Sequence, residues 1–274
     1  MQKKGQITIF MIMGLLILVT VFSFIYLNNY MKEKQLEQEV ADKFELDLNS
    51  EKIKNRVEWC INDLGEKAIL TLGFYGGKKE LVGNFFDEEV FDANYLYYLG
   101  EEQTSSVEEM EDSLSIMLDE RLEDCLGEVG KPKLIDVEED VVSHDLIFES
   151  FQVEKGEVDT TTKIVDESVL FTVKWPLELK FKNQEKEMID FPITKVKADL
   201  KRGALFLEDF MERIKEQPYY IDVIYLLENN YTTDVSLFNN DTYIFLVTDN
   251  NSIINHEPLR FLFASKVDIE GVFE

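Results

Sequence analysis

Ile7-Thr8-Ile9-Phe10-Met11-Ile12-Met13-Gly14-Leu15-Leu16-Ile17-Leu18-Val19-Thr20-Val21-Phe22-Ser23-Phe24-Ile25-Tyr26-Leu27 contains no charge and no proline. At ~1.5 Å per residue, a helix of this length covers the ~30 Å hydrocarbon core of a bilayer. Inside lipid only a helix or a closed barrel satisfies every backbone N–H and C=O. One segment cannot close a barrel, so the stretch from Ile7 to Leu27 predicts one transmembrane helix with the lipid bilayer as its partner. Lys3 and Lys4 precede it, and Lys32, Lys34 and Lys43 follow it, so the Lys and Arg bias does not decide orientation. A cleaved secretory signal has a shorter apolar core, ~7–15 residues, and small residues at its cut site. Asn28-Asn29-Tyr30-Met31 offers no such site, and the helix is expected to stay on the chain.

Working outward, residues 28–44 keep a helical pattern. Leu36, Val40 and Phe44 recur every fourth residue, and Glu39 sits four before Lys43. A helical stalk over 28–45 follows from this. Asp47-Leu48-Asn49-Ser50 offers caps for a second helix, with Ile53, Val57, Cys60, Ile61, Leu64, Ala68 and Leu72 as its apolar stripe. Gly73 is a natural stop and Gly76-Gly77 a turn. Tyr95, Tyr97 and Tyr98 read as core packing or as a binding patch. Ser106-Val107-Glu108-Glu109 is a capping box that opens a third helix, with Met110, Leu114, Met117, Leu118 and Cys125 on one face. Arg56-Val57-Glu58-Trp59-Cys60-Ile61 recurs as Arg121-Leu122-Glu123-Asp124-Cys125-Leu126, a weak repeat.

After Lys131-Pro132 the hydrophobic period changes from 3.6 to 2, which marks a domain boundary. Antiparallel strands are expected from Leu146 to Ile193, with a hairpin at Glu154-Lys155-Gly156-Glu157. A helix is expected from Ala198 to Glu216 and a short one from Asp222 to Glu228. Three closing strands follow: Thr232 to Phe238, Thr242 to Thr248 and Leu259 to Lys266. The fold class predicted is α+β: a transmembrane helix with a stalk, a helical hairpin, then an antiparallel β-rich domain with one long helix. The corresponding units are an anchor at 1–27, a stalk at 28–45, a stapled helical subdomain at 46–130 and a β-rich ectodomain at 131–274.

Fifty-five acidic residues against 28 basic give a formal charge of −27. Such a surface repels nucleic acid, which needs a basic footprint, so no nucleic-acid partner is expected. Cys60 and Cys125 are the two cysteines. They sit at matching places on two helices and read as a bridge or as two buried thiols. Closing a loop of that size is worth about 4 kcal/mol in the chain-entropy model. Asn230-Tyr231-Thr232, Asn240-Asp241-Thr242 and Asn250-Asn251-Ser252 are glycosylation sequons at expected turns or strand ends. Asp87-Glu88-Glu89, Glu108-Glu109-Glu111-Asp112 and Glu138-Glu139-Asp140 lack the alternating ligand pattern of a calcium loop and read as solvated acids. His144 and His256 stand alone, without a nucleophile signature. Gly73-Phe74-Tyr75-Gly76-Gly77 lacks the Lys-Ser/Thr of a phosphate loop. No catalytic, metal or cofactor residue is assigned, and an enzyme is not expected.

Lys3-Lys4-Gly5-Gln6-Ile7-Thr8-Ile9-Phe10 resembles the amino end of archaeal type IV pilins and archaellins. There a basic pair and a Gly precede the apolar helix, and a dedicated peptidase cuts after the Gly. The resemblance covers about the first 25 residues and implies a cut between Gly5 and Gln6. Phe10 stands at the fifth mature position, where many members carry Glu. The competing reading is an ordinary signal anchor. The Cys-bearing segments and the closing Pro258-Leu259-Arg260-Phe261-Leu262-Phe263-Ala264 run look like uncharacterised single-span archaeal surface proteins. Together these readings predict a single-pass protein of the cell membrane with its carboxyl-terminal domain extracytoplasmic. Its expected role is structural or adhesive, as a pilin-like filament subunit that self-associates or meets other envelope proteins. The alternative is an anchored binding module for a glycan or a protein.

Overall fold

No proline occurs before Pro132, so nothing removes an i→i−4 hydrogen bond over the first part of the chain. In the computed structural model α1 accordingly runs unbroken over Lys4–Phe74, 71 residues, or about 106 Å. The structure describes residues 4–87, 92–127, 151–182, 184–217, 220–229 and 231–267; side chains before Leu16 and those of Ile17, Val19, Phe151, Val223 and Leu227 lie outside the described ones.

This helix corrects the expected fold class in two ways. Among the described residues no helix is long and apolar enough to cross a membrane. The apolar run ends at Leu27, and Asn28, Asn29 and Lys32 follow it. The transmembrane helix, the bilayer partner and the single-pass membrane localisation with an extracytoplasmic domain are therefore not supported. Stalk and second helix are also one element, because the expected caps are used otherwise. Ser50 Oγ donates to Asp47 O at 2.8 Å and accepts from Lys186 Nζ at 2.7 Å, while Asp47 Oδ1 takes the same Lys186 at 2.8 Å. A Ser turned back on its own helix does not end it.

Eleven strands and three further helices follow among the described residues. After β1 (Phe85–Asp87), β2 (Asp92–Tyr98) and β3 (Glu101–Glu102) comes α2 (Val107–Leu126). Its capping box is closed: Ser106 N–H donates to Glu109 Oε2 at 2.8 Å and Glu109 N–H to Ser106 Oγ at 3.2 Å. β4 (Phe151–Lys155), β5 (Asp159–Val165), β6 (Ser168–Phe181), β7 (Gln184–Asp190) and β8 (Thr194–Lys197) form one antiparallel sheet. The 14-residue β6 is its spine, with β4 and β7 on either side of one half and β5 and β8 on either side of the other. The expected strand residues 146–150, the boundary at Lys131-Pro132 and His144 lie outside the described residues.

The second sheet joins distant parts of the chain. α3 (Leu200–Glu216) and α4 (Val223–Glu228) lead into β9 (Thr232–Phe238), β10 (Thr242–Ile254) and β11 (Glu257–Lys266). The order is β1-β2-β11-β10-β9, and β2 pairs with β11 in parallel, which corrects the purely antiparallel expectation. Four strand spacings of ~4.8 Å would hold β1 and β9 about 19 Å apart in a flat sheet. Yet the Phe86 and Phe238 rings meet at 5.0 Å. The sheet therefore curls into a half-barrel around Phe86, Ala93, Tyr95, Ile244, Leu262 and Ala264. Its other face carries Phe245, Phe261 and Phe263 against Phe210 and Gly203 of α3. That face, the β4–β8 sheet, α2 and the carboxyl half of α1 share one apolar core.

Helix α2 also closes a sheet edge. Three alternate β5 residues, Thr160, Thr162 and Ile164, turn inward. Ile164 N–H donates to Glu111 Oε1 at 2.8 Å and Thr162 N–H to Ser115 Oγ at 3.0 Å. Asp119 lies against the Thr160 N–H, although its Oδ1 and the Thr160 hydroxyl close no hydrogen bond. Four helical residues rise ~6 Å and two strand residues ~6.6 Å. A Glu-x3-Ser-x3-Asp face therefore keeps step with the strand and replaces a neighbouring strand.

Candidate functional site

From Leu16 to Ala41 every described side chain of α1 is exposed. Leu16, Leu18, Val21, Phe22, Phe24, Ile25, Tyr26 and Leu27 make the first part apolar all round. A helix of that kind is normally enclosed by other elements. Farther on the apolar surface narrows to Leu36, Val40, Phe44 and Leu48, exposed by 62, 62, 70 and 45 %. At 100° per residue these four cover an arc of ~120°. The arc is centred roughly 140° from the direction of Leu46, Ile53, Val57, Cys60 and Leu64, which face the body. The stripe thus looks away from the head and continues the apolar rod.

The head holds the helix from the other side. Asp42 takes Lys182 Nζ and Glu39 O accepts from Gln184 Nε2 at 3.1 Å, while Asp47, within the stripe's arc, takes Lys186. The Lys186 hydrogen bond keeps the Asp47 carboxyl below its usual range. These contacts brace α1 where it leaves the body. Higher up, Cys60 and Cys125 form a disulfide with Cα atoms 5.9 Å apart. It ties α1 to the end of α2, and Arg56 Nη2 donates to Cys125 O at 3.4 Å beside it. Of the two readings open from sequence, the bridge is the one present.

A cleft of about 440 Å³ lies beside Glu167, Lys197, Asp199, Arg202 and Asn251. Asp199, Arg202, Asp249 and Ser252 serve one another there. The fully buried Asp249 receives Arg202 Nη2 at 2.9 Å, Ser252 Oγ at 2.8 Å and Asn251 N–H at 3.0 Å. Ser252 Oγ accepts from Asp199 N–H at 2.9 Å, and Asp199 Oδ1 caps α3 by accepting from Arg202 N–H. The Arg202 guanidinium sits 4.9 Å from the Tyr231 ring centre, and burial pushes the Tyr231 hydroxyl up to about 12. The arrangement joins β8, α3 and β10 and engages the Arg202, Asp199 and Asp249 charges with one another.

The remaining sequence candidates are placed as follows. Asn240 is exposed in the β9–β10 turn at φ 64°. Asn250 is exposed, but its Nδ2 donates to Thr232 Oγ1 at 2.9 Å, and the hydroxyl of its sequon, on Ser252, is buried in the Asp249 network. Asn230 lies outside the described residues, as do Glu88, Glu89 and Glu138-Glu139-Asp140. Gly5 and Gln6 fall on the α1 backbone, in the part whose side chains are not described. Tyr95 and Tyr97 are buried and pack in the sheet. His256 is exposed in the β10–β11 turn. Among the described residues no three His, Cys, Asp or Glu gather to hold a metal. The ladder on β5 went unread in the sequence; its signal was the 111-115-119 spacing opposite alternating Thr160, Thr162 and Ile164. No family model, curated protein or solved structure matches the chain.

Proposed function

We propose that the protein is a structural subunit that assembles with copies of itself through α1, the two-sheet head remaining outside the contact. The observation that carries this reading is the stripe Leu36, Val40, Phe44 and Leu48 on the face of α1 opposite the head. A single helix in water draws most of its stability from packing an apolar face, and among the described residues nothing covers this one. A second copy fits it. Residues 28–45 mix Lys32, Lys34 and Lys43 with Glu33, Glu37, Glu39, Asp42 and Glu45, so neighbouring helices can pair opposite charges between the apolar contacts. The resemblance of residues 3–10 to pilin-like amino ends supports the same organisation, with the cut between Gly5 and Gln6. The bridge suits an oxidising compartment, where disulfides persist, and in that setting Asn240 is, of the two described sequon asparagines, the one open to a glycan.

The test is sedimentation and negative-stain imaging of the full chain beside Leu36→Glu/Phe44→Glu. Both side chains are exposed, so the head is expected to keep its circular dichroism and its bridge while large assemblies fall to monomer. An unchanged size distribution would sink the reading. Mass spectrometry of the mature chain adds a separate check: a first residue of Gln6 supports processing, and intact Met1 argues against it.

A further inference from the structure

The strand edges of this protein are not treated alike. The long edge at β5 is covered by Glu111 and Ser115 of α2. β4 carries Glu154 and Lys155, and β7 carries Glu185, Lys186, Glu187 and Asp190, charges of the kind that discourage edge pairing. β1 is only three residues long. β9, Thr-Thr-Asp-Val-Ser-Leu-Phe, has seven residues, one charge and no Pro, Lys or Gly. Among the described residues no strand pairs with its outer edge, β10 being its one neighbour. Val235 and Leu237 stand 39 and 56 % exposed on one face of it. In a chain of charge −27 this is a long, nearly uncharged edge whose outward backbone groups meet no partner among the described residues, β1 reaching β9 only through the Phe86 and Phe238 rings.

We infer that β9 pairs with β9 of a second copy, antiparallel, about a two-fold axis through Val235. The occupant follows from the register. A two-fold normal to the sheet must place one residue opposite itself, because side chains alternate between faces. Val235 is the midpoint of β9 and gives full overlap. It sets Asp234 opposite Ser236, Thr233 opposite Leu237 and Thr232 opposite Phe238. Centring on Asp234 would oppose two carboxylates, which destabilises a strand pair. The Val235 register also gathers both Val235 and both Leu237 side chains on one face, covering apolar groups that the monomer exposes. Seven residues a side fall below the ~800 Å² per partner of a stable dimer. The pair is therefore weak on its own, and covalent trapping, which accumulates a transient contact, is the way to detect it. It is a different surface from α1 and does not depend on it.

The experiment is disulfide trapping on the full chain. Val235→Cys puts two thiols opposite each other across the axis. Leu205→Cys, on α3 and 52 % exposed, is the control for random collision. Under mild oxidation Val235→Cys should form covalent dimer at least ~10 times faster than the control, as expected when a contact raises effective concentration. Equal rates at the two sites would overturn the pairing. Repeating the trap in Leu36→Glu/Phe44→Glu separates the two surfaces. Retained dimer supports β9 even if the α1 reading fails, and loss of dimer there overturns an independent β9 pair.

Discussion

Asp119 is the loosest of the three α2 side chains that serve β5. Burial is the chief cause that holds its carboxyl above the ordinary range, and hydrogen bonding to Thr160 offsets this only in part. The sign follows from linkage. The unfolded chain ionises Asp119 at the ordinary value, and the folded chain resists ionisation until higher pH. Stability from this group is therefore greatest below the ordinary value and declines as pH rises through the folded one. Asp119→Asn removes the charge and keeps the shape, so its melting temperature should gain on the native chain at pH 7 and not at pH 3. A gain independent of pH would point to packing instead of charge. Gly73 makes a sharper demand. A Cβ there would run into the Arg260 carbonyl oxygen, a backbone atom that cannot swing aside, whereas at Gly65 it would meet the Phe171 ring at 2.7 Å. Gly73→Ala is expected to cost about 1–3 kcal/mol, the range for overpacking, and urea titration measures it. From sequence Gly73 read as a helix stop; its closeness to β11 depends on a strand more than 180 residues away, which no local pattern reports.

At the scale of elements, the bridge between α1 and α2 closes a 65-residue separation. Cys60→Ser/Cys125→Ser should lose up to about 4 kcal/mol if the bridge acts mainly on the unfolded chain. The helices should still dock through Ile61, Leu114, Leu118 and Leu122, which are buried without it. Denaturant midpoints of oxidised and variant chains give the difference, and a loss near zero would mean the unfolded chain is already compact. The bridge was legible because only two cysteines exist and they sit at equivalent places on two apolar stripes. The helical character of the α1 stretch was legible, since it holds no proline and few glycines. Its continuity was not, because Asp47 and Ser50 look like caps until Lys186 and the Asp47 carbonyl are seen to occupy them. The parallel pairing of β2 with β11 was hidden for a related reason. Its register, Ala264 to Tyr95 and Ser265 to Tyr97, is a long-range contact, and of the tyrosines read as core packing or a binding patch Tyr95 and Tyr97 are buried there.

For the whole molecule, charge and assembly pull in opposite directions. A formal −27 on each chain makes two heads repel, and the repulsion reaches ~30 Å at 0.01 M salt but only ~8 Å at 0.15 M. The contacts argued for here are nearly free of that burden. The α1 stripe is apolar and flanked by both signs of charge, and β9 carries Asp234 alone. Screening therefore weakens what opposes association while leaving its apolar source in place. Raising sodium chloride from 0.01 to 0.15 M should shift the full chain toward larger species in light scattering, and Leu36→Glu/Phe44→Glu should show little of that shift. Association that weakens with salt would mean that ion pairs, not the apolar stripe, hold the copies together. In that event the mixed charges of residues 28–45, and not Leu36 and Phe44, would be the surface to mutate.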